Sequence, residues 1–560
     1  MSESQPPAEG PGPVPPPRQE WGTPPGADQP PGGSTEWLAG GPGRPDGEGH
    51  VGRRRGFVIG AVVAVLAVII GSGSVLAFRA LNGGGPQPAD ALPGNAIGYV
   101  RVDLDPSAAE KVAALQLLRK FPQFGRATGI SSNTDDLRAR MIDAIVAQTS
   151  CNLTYAKDFK PWIGSRVGVA AVPEGGSVEP VVAVAVDDRS AAEATVKKLD
   201  ACDSSGAHPG DSFVNGYLLL AKNQSLADRY ATEAASSSLA DNPRFRADMS
   251  KLGDQGLISV WVDMDRARGL IQKLTDAGSP FVGSSLGTLP SPADVFKGVH
   301  SYAAAVRASG DYVELAFQAD GGSSAAGTTT PVRTLPDSTV MALSFSGGGE
   351  NFTKAWDRMR SAIDQMQPGA FEQAIARTQA QTGLVLPADM TTLLGDNLTL
   401  TVDGEGLDPQ VLQGSTGPQD AMSKIGVGVR LTTDQAAAKD LLSRIQAALD
   451  SHGVGIKLAS ADVSDGLVIA SNQAYADKLA ANGSLGDSSV FTSAVSNADK
   501  ASAIFYLNVD TTSQIVKKFI VSAGGDTSQL DKIAPIKAVG LSAWPAGGGY
   551  TEASLRVTFN

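Results

Sequence analysis

The feature that most constrains this chain is an uncharged run of 23 residues at positions 56–78. At about 1.5 Å per helical residue the run would extend roughly 34 Å, enough to cross a hydrocarbon core of about 30 Å. Three arginines at 53–55 precede it, so the positive-inside rule places the N-terminus in the cytoplasm. A cleaved signal peptide fits less well, because the run starts far from the N-terminus and lacks a clean cleavage site. The sequence therefore predicts a transmembrane helix over 56–78 and a single-pass location at the cell membrane, with the C-terminal body extracytoplasmic.

Residues 1–55 form a tail that is rich in proline and glycine. The tail contains 13 Pro and 12 Gly and almost no aliphatic residues, so it cannot bury enough apolar surface to offset the entropy of ordering. Trp21 and Trp37 stand out as candidate anchors for a cytoplasmic partner of this Pro-rich tail. The alternative is a spacer of biased composition. We expect a disordered tail, then the span, then a linker over 79–90.

Charge and cysteine content restrict the partners of the remaining body. The chain has 46 Lys and Arg against 58 Asp and Glu, a net charge of −12, which argues against nucleic acid as a partner. The two cysteines, Cys151 and Cys202, predict a disulfide in an oxidising compartment, with two buried free thiols as the alternative. The four histidines are scattered along the sequence, so we predict no metal site and no cofactor.

Two similar segments indicate an internal duplication of the body. The pattern Asn-Gln-x-x-Ala-Asp-(Arg/Lys)-x-Ala begins at Asn223 and again at Asn472. Other correspondences keep the same order, among them residues 260–265 with 505–510. In each half, short apolar strands lead through Asp or Thr caps into amphipathic helices.

This pattern predicts the fold class and the domain boundaries. We expect an α+β fold of two tandem homologous repeats, each a mixed or antiparallel sheet with helices mainly on one face. The first extracytoplasmic repeat covers 91–319, a linker covers 320–333, and the second repeat covers 334–560.

Motifs with catalytic spacing have simpler explanations in this sequence. The Gly-x-Ser-x-Gly spacing around Ser285 lies between prolines rather than on a strand–turn–helix elbow, so a loop is the better account. Asp-x-Asp pairs at 103/105 and 263/265 stand at strand-to-helix junctions, where carboxylates cap helices. The sequence therefore predicts no catalytic, cofactor-binding or metal residues and a protein that is not an enzyme.

Two longer motifs resemble those of a known family. They are Ala91-Leu-Pro-Gly-Asn-Ala-Ile-Gly-Tyr-Val-Arg-Val-Asp-Leu-Asp-Pro106 and Lys160-Pro-Trp-Ile-Gly-Ser-Arg166. With the Pro-rich tail and the single span, they make the chain similar to actinobacterial membrane-anchored proteins known only as domain of unknown function 3352. The resemblance implies a location, but it brings no activity and no catalytic residues.

Three functions stay open on the sequence alone. We expect a non-catalytic binding or scaffolding protein of the cell envelope, held at the lipid bilayer through 56–78, whose partner is an envelope protein or the cell wall. The first alternative is a carrier or sensor for a lipid or small ligand, bound in an apolar groove that the two sheet-and-helix domains enclose. The second is an unrecognised hydrolase around Ser285 and His300.

Overall fold

Sixteen β-strands form one continuous sheet in the computed structural model of this chain. The structure describes residues 86–105, 137–147, 151–202, 209–269, 298–321, 329–453 and 455–560. The strands are β1 (Gly98–Asp103), β2 (Ile163–Glu174), β3 (Ser177–Val186), β4 (Gly210–Val214), β5 (Tyr217–Ala221), β6 (Ile258–Asp263), β7 (Val299–Ala308), β8 (Tyr312–Gly321), β9 (Thr339–Ser346), β10 (Asn397–Asp403), β11 (Val427–Thr432), β12 (Ala459–Val463), β13 (Gly466–Ala470), β14 (Ala503–Leu507), β15 (Ile536–Gly547) and β16 (Tyr550–Phe559).

Fourteen α-helices accompany the sheet in the described ranges. They are α1 (Leu137–Val146), α2 (Arg189–Cys202), α3 (Gln224–Ser236), α4 (Pro243–Leu252), α5 (Gly348–Met366), α6 (Ala370–Thr382), α7 (Ala388–Leu394), α8 (Pro409–Gln413), α9 (Pro418–Lys424), α10 (Gln435–Ser451), α11 (Gln473–Ala480), α12 (Ser489–Ala494), α13 (Val509–Ser522) and α14 (Ser528–Asp531). Short 3-10 helices at Pro88–Ala91, Leu239–Asp241, Pro331–Thr334 and Leu485–Asp487 and a π-helical turn at Tyr155–Phe159 complete the set.

Asparagine caps explain where several helices begin. The side chain of Asn223 accepts a hydrogen bond from the Leu226 amide at the start of α3. Asn472 does the same at the start of α11, and Asn508 at the start of α13. Each cap satisfies an amide that the helix itself leaves without an acceptor.

The strand order places β8 and β16 side by side at the centre of the sheet. The order is β12-β13-β11-β10-β9-β14-β15-β16-β8-β7-β6-β1-β2-β3-β5-β4, and neighbouring strands are antiparallel throughout. The β8–β16 pairing extends from Tyr312 opposite Thr558 to Asp320 opposite Tyr550. Strands from the two ends of the chain therefore belong to one sheet.

Helices cover both faces of this sheet near its two ends. Successive residues of a strand point to opposite faces. In β5, Leu219 packs into a core on the side of Trp261, which we call the Trp261 face. Its neighbour Leu218 packs into a separate core with Val146 of α1 on the other side, which we call the Leu315 face. Two further cores cover the two faces around β13 in the same way.

These observations correct the predicted fold class. Two tandem repeats, each with its own sheet, are wrong as a layout, because the β8–β16 pairing joins all sixteen strands. Helices on mainly one face are also wrong, because α3 and α4 lie on the Trp261 face while α1 and α2 lie on the Leu315 face. The boundaries predicted at 91–319, 320–333 and 334–560 stay a prediction.

The predicted membrane segment needs a correction of its own. The span at 56–78 and the tail at 1–55 lie outside the described residues. Among the residues that are described, no helix combines the length and the apolar character needed to cross a membrane. On that finding the transmembrane helix is removed from the fold class, and the predicted single-pass location at the cell membrane is withdrawn.

Candidate functional site

The structure joins the two cysteines that the sequence pairs. Cys202 ends α2, and a disulfide links it to Cys151, with the two Cα atoms 5.4 Å apart. The bond ties the C-terminus of α2 to the segment that leads into β2. The two other predicted site residues, Trp21 and Trp37, lie outside the described residues.

His300, which the hydrolase hypothesis includes, lies in a cluster of ion pairs. Its Nδ1 is 3.0 Å from a carboxylate oxygen of Asp265. The same carboxylate pairs with Arg244 at 3.1 Å and with Arg268 at 3.4 Å. Burial raises the pKa of Asp265, but His300 and the two arginines outweigh it and hold that pKa below its usual range. Ser285 lies outside the described residues, so its pairing with His300 stays a prediction.

The two carboxylates of the Asp-x-Asp pair at 263/265 cap a helical turn and form ion pairs. The Asp263 carboxylate accepts a hydrogen bond from the Arg266 amide at 3.1 Å and so caps the helical turn that follows β6, as the sequence indicates. Asp263 also pairs with Arg244 Nη1 at 3.0 Å, and Asp265 forms the ion pairs described above. In the described ranges, no group of three or more His, Cys, Asp and Glu side chains could hold a metal ion.

A row of apolar side chains crosses the Leu315 face over most of the sheet. Each member is paired directly with a member on the neighbouring strand. Over the eight central strands, β6 to β10, the row consists of Ile258, Val306, Leu315, Leu555, Leu541, Phe505, Leu343 and Leu400. We call these eight side chains the Leu315 row. At about 4.8 Å between strands, the row extends roughly 34 Å along the sheet.

The rows on either side of the Leu315 row are equally apolar. One contains Val260, Ala304, Phe317, Ala553, Ala543, Ala503, Phe345 and Leu398. The other contains Ala308, Val313, Val557, Val539, Leu507, Met341 and Val402. The centre of the Leu315 face therefore presents three adjacent rows without a charged or polar side chain.

The two faces of the central strands are covered differently. On the Trp261 face, α4 packs on β7 and β8 through Phe245 and Met249, and α12 packs on β14 and β15 through Phe491. On the Leu315 face, none of the described helices makes an extended contact with β7, β8 or β16. Phe317 is 39% exposed there and Leu400 36% exposed. The described elements thus leave an open apolar surface between two closed cores.

In the central strands several polar side chains are buried while apolar side chains next to them in the chain are exposed, unlike in an ordinary two-layer protein. In β8, Glu314 and Gln318 are 5% and 1% exposed, whereas Phe317, which lies between them in the strand, is open to solvent. In β10, Thr399 and Thr401 are buried while Leu400 between them is exposed. Ser554 and Thr558 of β16 are buried as well. The covered face thus buries polar side chains beside its apolar core, whereas the open face of these strands carries apolar side chains. This distribution of buried polar and exposed apolar side chains identifies the Leu315 face as the candidate site.

A charged network on the covered face holds β8 to its neighbours. Glu314 Oε1 accepts hydrogen bonds from Ser554 Oγ at 2.6 Å and Arg556 Nε at 2.9 Å, and Oε2 accepts one from Arg307 Nη1 at 3.1 Å. Burial raises the pKa of Glu314, but these three partners outweigh it and lower that pKa on balance. The network joins β7, β8 and β16 directly beneath the Leu315 row.

A second network on the same face joins α4 to the sheet. Asp248 is fully buried and accepts hydrogen bonds from Trp261 Nε1 at 2.6 Å and from Tyr550 Oη at 3.1 Å. Burial and the Asp248 charge raise the pKa of Tyr550 to about 12, so its hydroxyl stays protonated and donates at neutral pH. Polar contacts therefore hold the central strands together on the Trp261 face.

Comparison with known proteins gives the family but no activity. Residues 57–555 match the family model described as "Protein of unknown function (DUF3352)". The chain belongs to this family. The match confirms the family that the two sequence motifs predict, but it says nothing of a source organism or a membrane anchor. No curated protein matches it.

Solved structures resemble the DUF3352 protein only weakly. Crystal form I of TP0453 is 11% identical, with a TM-score of 0.22, and the match covers 44% of this chain and 83% of that chain. Crystal form III gives 10% identity and a TM-score of 0.22, with 43% and 83% covered. A likeness at that score carries no argument about this fold or its function.

Sequence reasoning missed the open apolar face, although a signal for it is present. In β8 the sequence alternates Val313, Leu315 and Phe317 with Glu314 and Gln318. The alternation places apolar and polar side chains on opposite faces of β8. In an antiparallel sheet the apolar face is normally the one that packs on the core. Only the packing of α4 on β7 and β8 shows that the face with Glu314 and Gln318 is the covered one.

Proposed function

We propose that this DUF3352 protein is a non-catalytic binding protein that holds a long apolar chain, of the acyl or isoprenoid class, against the Leu315 face. The reversed burial of the central strands carries the proposal. On the Leu315 face Phe317 is 39% and Leu400 36% exposed, while Glu314 and Gln318 are buried behind it at 5% and 1%. Contiguous exposed apolar surface marks a binding site in soluble proteins, because water contact with it is unfavourable.

The dimensions and chemistry of the surface favour an extended apolar molecule. The Leu315 row extends roughly 34 Å, which is about the length of two acyl tails placed end to end across a hydrocarbon core of about 30 Å. One long extended chain could therefore lie along the whole row. Each methylene group buried against it would contribute about 0.8 kcal/mol. The three rows supply no hydrogen-bonding side chain, so specificity for a polar or charged group would have to come from outside them. A single chain without polar groups matches this lining.

The experiment compares a charge placed in the surface with the same charge placed elsewhere. Phe317→Glu adds a carboxylate to the Leu315 face at a position that is already 39% exposed. Val385→Glu makes a similar change at a 52% exposed apolar residue outside the sheet and serves as the matched control. Fluorescently labelled palmitate is titrated into the full chain and both variants, with far-UV circular dichroism to check folding.

We expect saturable binding by the wild type and the control, and binding at least 10-fold weaker in Phe317→Glu, because a carboxylate in an apolar contact is strongly unfavourable. All three proteins keep residues 56–78, so any binding of the probe to that apolar stretch is common to them. Absence of saturable binding, or equal binding by all three proteins, would overturn the proposal. In that case a protein partner on the Leu315 face would be the better explanation.

A further inference from the structure

The two end strands of the sheet, β4 and β12, each pair with a single neighbour in the described part of the chain. Each is five residues long and forms a hairpin with the strand that follows it. An end strand presents backbone N–H and C=O groups on its outer edge, where a strand of another molecule can pair with them. The sheet therefore has two edges at which strand addition would extend it.

At one edge a glutamine side chain makes the hydrogen bonds that an added strand would make. Gln224, the first residue of α3, accepts a bond from the Asp211 amide of β4 at 3.2 Å through Oε1. Its Nε2 donates to the Asp211 carbonyl at 2.7 Å. Two residues in an antiparallel ladder exchange the same pair of bonds. The side-chain amide of Gln224 thus takes the place of a peptide group from a neighbouring strand.

The same contact recurs at the other edge of the sheet. Gln473, the first residue of α11, donates from Nε2 to the Ser460 carbonyl of β12 at 3.2 Å. Asp211 and Ser460 are each the second residue of their strand, and in both cases the glutamine follows 13 residues later. Two separate parts of the chain therefore place a glutamine on the outer edge of an end strand.

A carboxylate one helical turn further on orients each glutamine. Gln224 Nε2 also donates to Asp228 Oδ1 at 2.9 Å, and Gln473 Nε2 to Asp477 Oδ1 at 2.8 Å. These residues are the Gln and the Asp of the segment Asn-Gln-x-x-Ala-Asp that occurs twice in the sequence, and its Asn caps the helix. The repeated segment thus starts a helix and aims a side-chain amide at the adjacent strand edge.

We infer that the repeated Asn-Gln-x-x-Ala-Asp segment closes the two edges of the sheet against strand pairing with a second copy of this chain. All neighbouring strands of the sheet are antiparallel, and β4 paired with β4 of a second copy about a twofold axis would continue that order. The inference does not depend on the proposed function, because the Leu315 row lies at the centre of the sheet and these contacts lie at its ends.

Hydrogen exchange at the Asp211 amide in dilute protein is the first test. Gln224→Ala removes the acceptor of this amide, and we expect its exchange to become about fivefold faster, as the loss of one neutral hydrogen bond predicts. The matched control is Gln514→Ala on α13, because Gln514 also donates to a carboxylate four residues away on an exposed helix surface. It should leave exchange at Asp211 unchanged.

Self-association, measured by sedimentation velocity at increasing protein concentration, is the second test. Gln224→Ala should form dimers, because one open edge is covered once it has paired with another. Gln224→Ala combined with Gln473→Ala should form longer oligomers, because each copy then has two open edges. In the dimers, exchange at Asp211 should slow again, since the partner strand supplies an acceptor. All the proteins keep residues 56–78, so any association through that stretch is common to them.

A further variant, Asp228→Ala, keeps the glutamine but removes the carboxylate that orients it. It should speed exchange at Asp211 and promote dimers less than Gln224→Ala does, and it provides the test if Gln224→Ala loses its far-UV circular dichroism. Association of the folded variants no greater than that of wild type and Gln514→Ala would overturn the inference. Association without renewed protection of Asp211 would overturn it as well, because the copies would then meet elsewhere.

Discussion

Replacing Glu314 with glutamine should weaken the sheet at its centre. The Glu314 side chain is 7% exposed, and its two carboxylate oxygens accept bonds from Arg307, Arg556 and Ser554. Glutamine keeps the size of the side chain but removes the charge and leaves two arginines facing a neutral amide. Both arginine side chains are at most 20% exposed, so water can compensate only partly.

The expected loss follows from the burial of this network. Removing one partner of a buried ion pair typically costs 3–5 kcal/mol, and the partial exposure of the arginines places Glu314→Gln near the lower end, about 3 kcal/mol at pH 7. The matched control is Glu350→Gln, which removes an exposed helix pair with Lys354. Little change is expected there, because solvent screens surface pairs.

The pH dependence supplies a second test of the same network. The pKa of Glu314 is lower in the folded protein than its ordinary value of 4.5, so its charge stabilises the fold above about pH 4.5. This contribution is lost as the pH falls through the lowered pKa. The difference between wild type and Glu314→Gln should therefore be largest at pH 7 and should shrink as the pH falls below 4.5.

Urea unfolding followed by tryptophan fluorescence measures both quantities. A stabilising role of the Glu314 charge would be refuted if Glu314→Gln costs less than about 1 kcal/mol or if Glu350→Gln costs as much. It would also be refuted if the difference between wild type and Glu314→Gln does not change between pH 7 and pH 3. A large loss at all pH values would indicate that the shape of the side chain, and not its charge, stabilises the β8–β16 pairing.

Three further predictions concern other contacts. Serine in place of both Cys151 and Cys202 removes a disulfide that closes 51 residues of chain, which should cost about 4 kcal/mol in urea unfolding if loop entropy dominates. Gly540→Ala places a methyl group 2.4 Å from the Ala494 carbonyl at the end of α12, and thermal unfolding should show a loss of about 1–3 kcal/mol. Asp248→Asn removes the charge that helps to raise the pKa of Tyr550 to about 12, so absorbance titration at 295 nm should show one tyrosine ionising at lower pH.

Local sequence patterns predict the elements of this fold better than its assembly. The capping role of the Asp-x-Asp pair at 263/265 is visible from residue types, because caps depend on neighbours in the chain. The pairing of Leu315 with Leu555 joins residues about 240 positions apart, and no local signal encodes it. Two separate sheets were therefore the natural prediction from the sequence, and they are wrong.

The same limit explains why the candidate site was missed. A strand that alternates apolar and polar residues has two distinct faces, and the sequence shows which side chains share a face. Which face is covered depends on the helices that reach it, here α4 and α12 on the Trp261 face. The disulfide partners, in contrast, could be proposed from the sequence because the chain has only two cysteines to pair.

The buried polar networks and the open apolar face depend on each other through strand geometry. Because successive side chains point to opposite faces, placing Glu314 in a buried network necessarily places Leu315 on the other side of β8. The β8–β16 pairing can then be stabilised by Glu314 and Asp248 on the Trp261 face, with no need for helices on the Leu315 face. Such an arrangement leaves apolar side chains free to contact a ligand while the sheet beneath them keeps its register. Polar stabilisation of the covered face is thus what would make the proposed apolar binding surface compatible with a stable sheet.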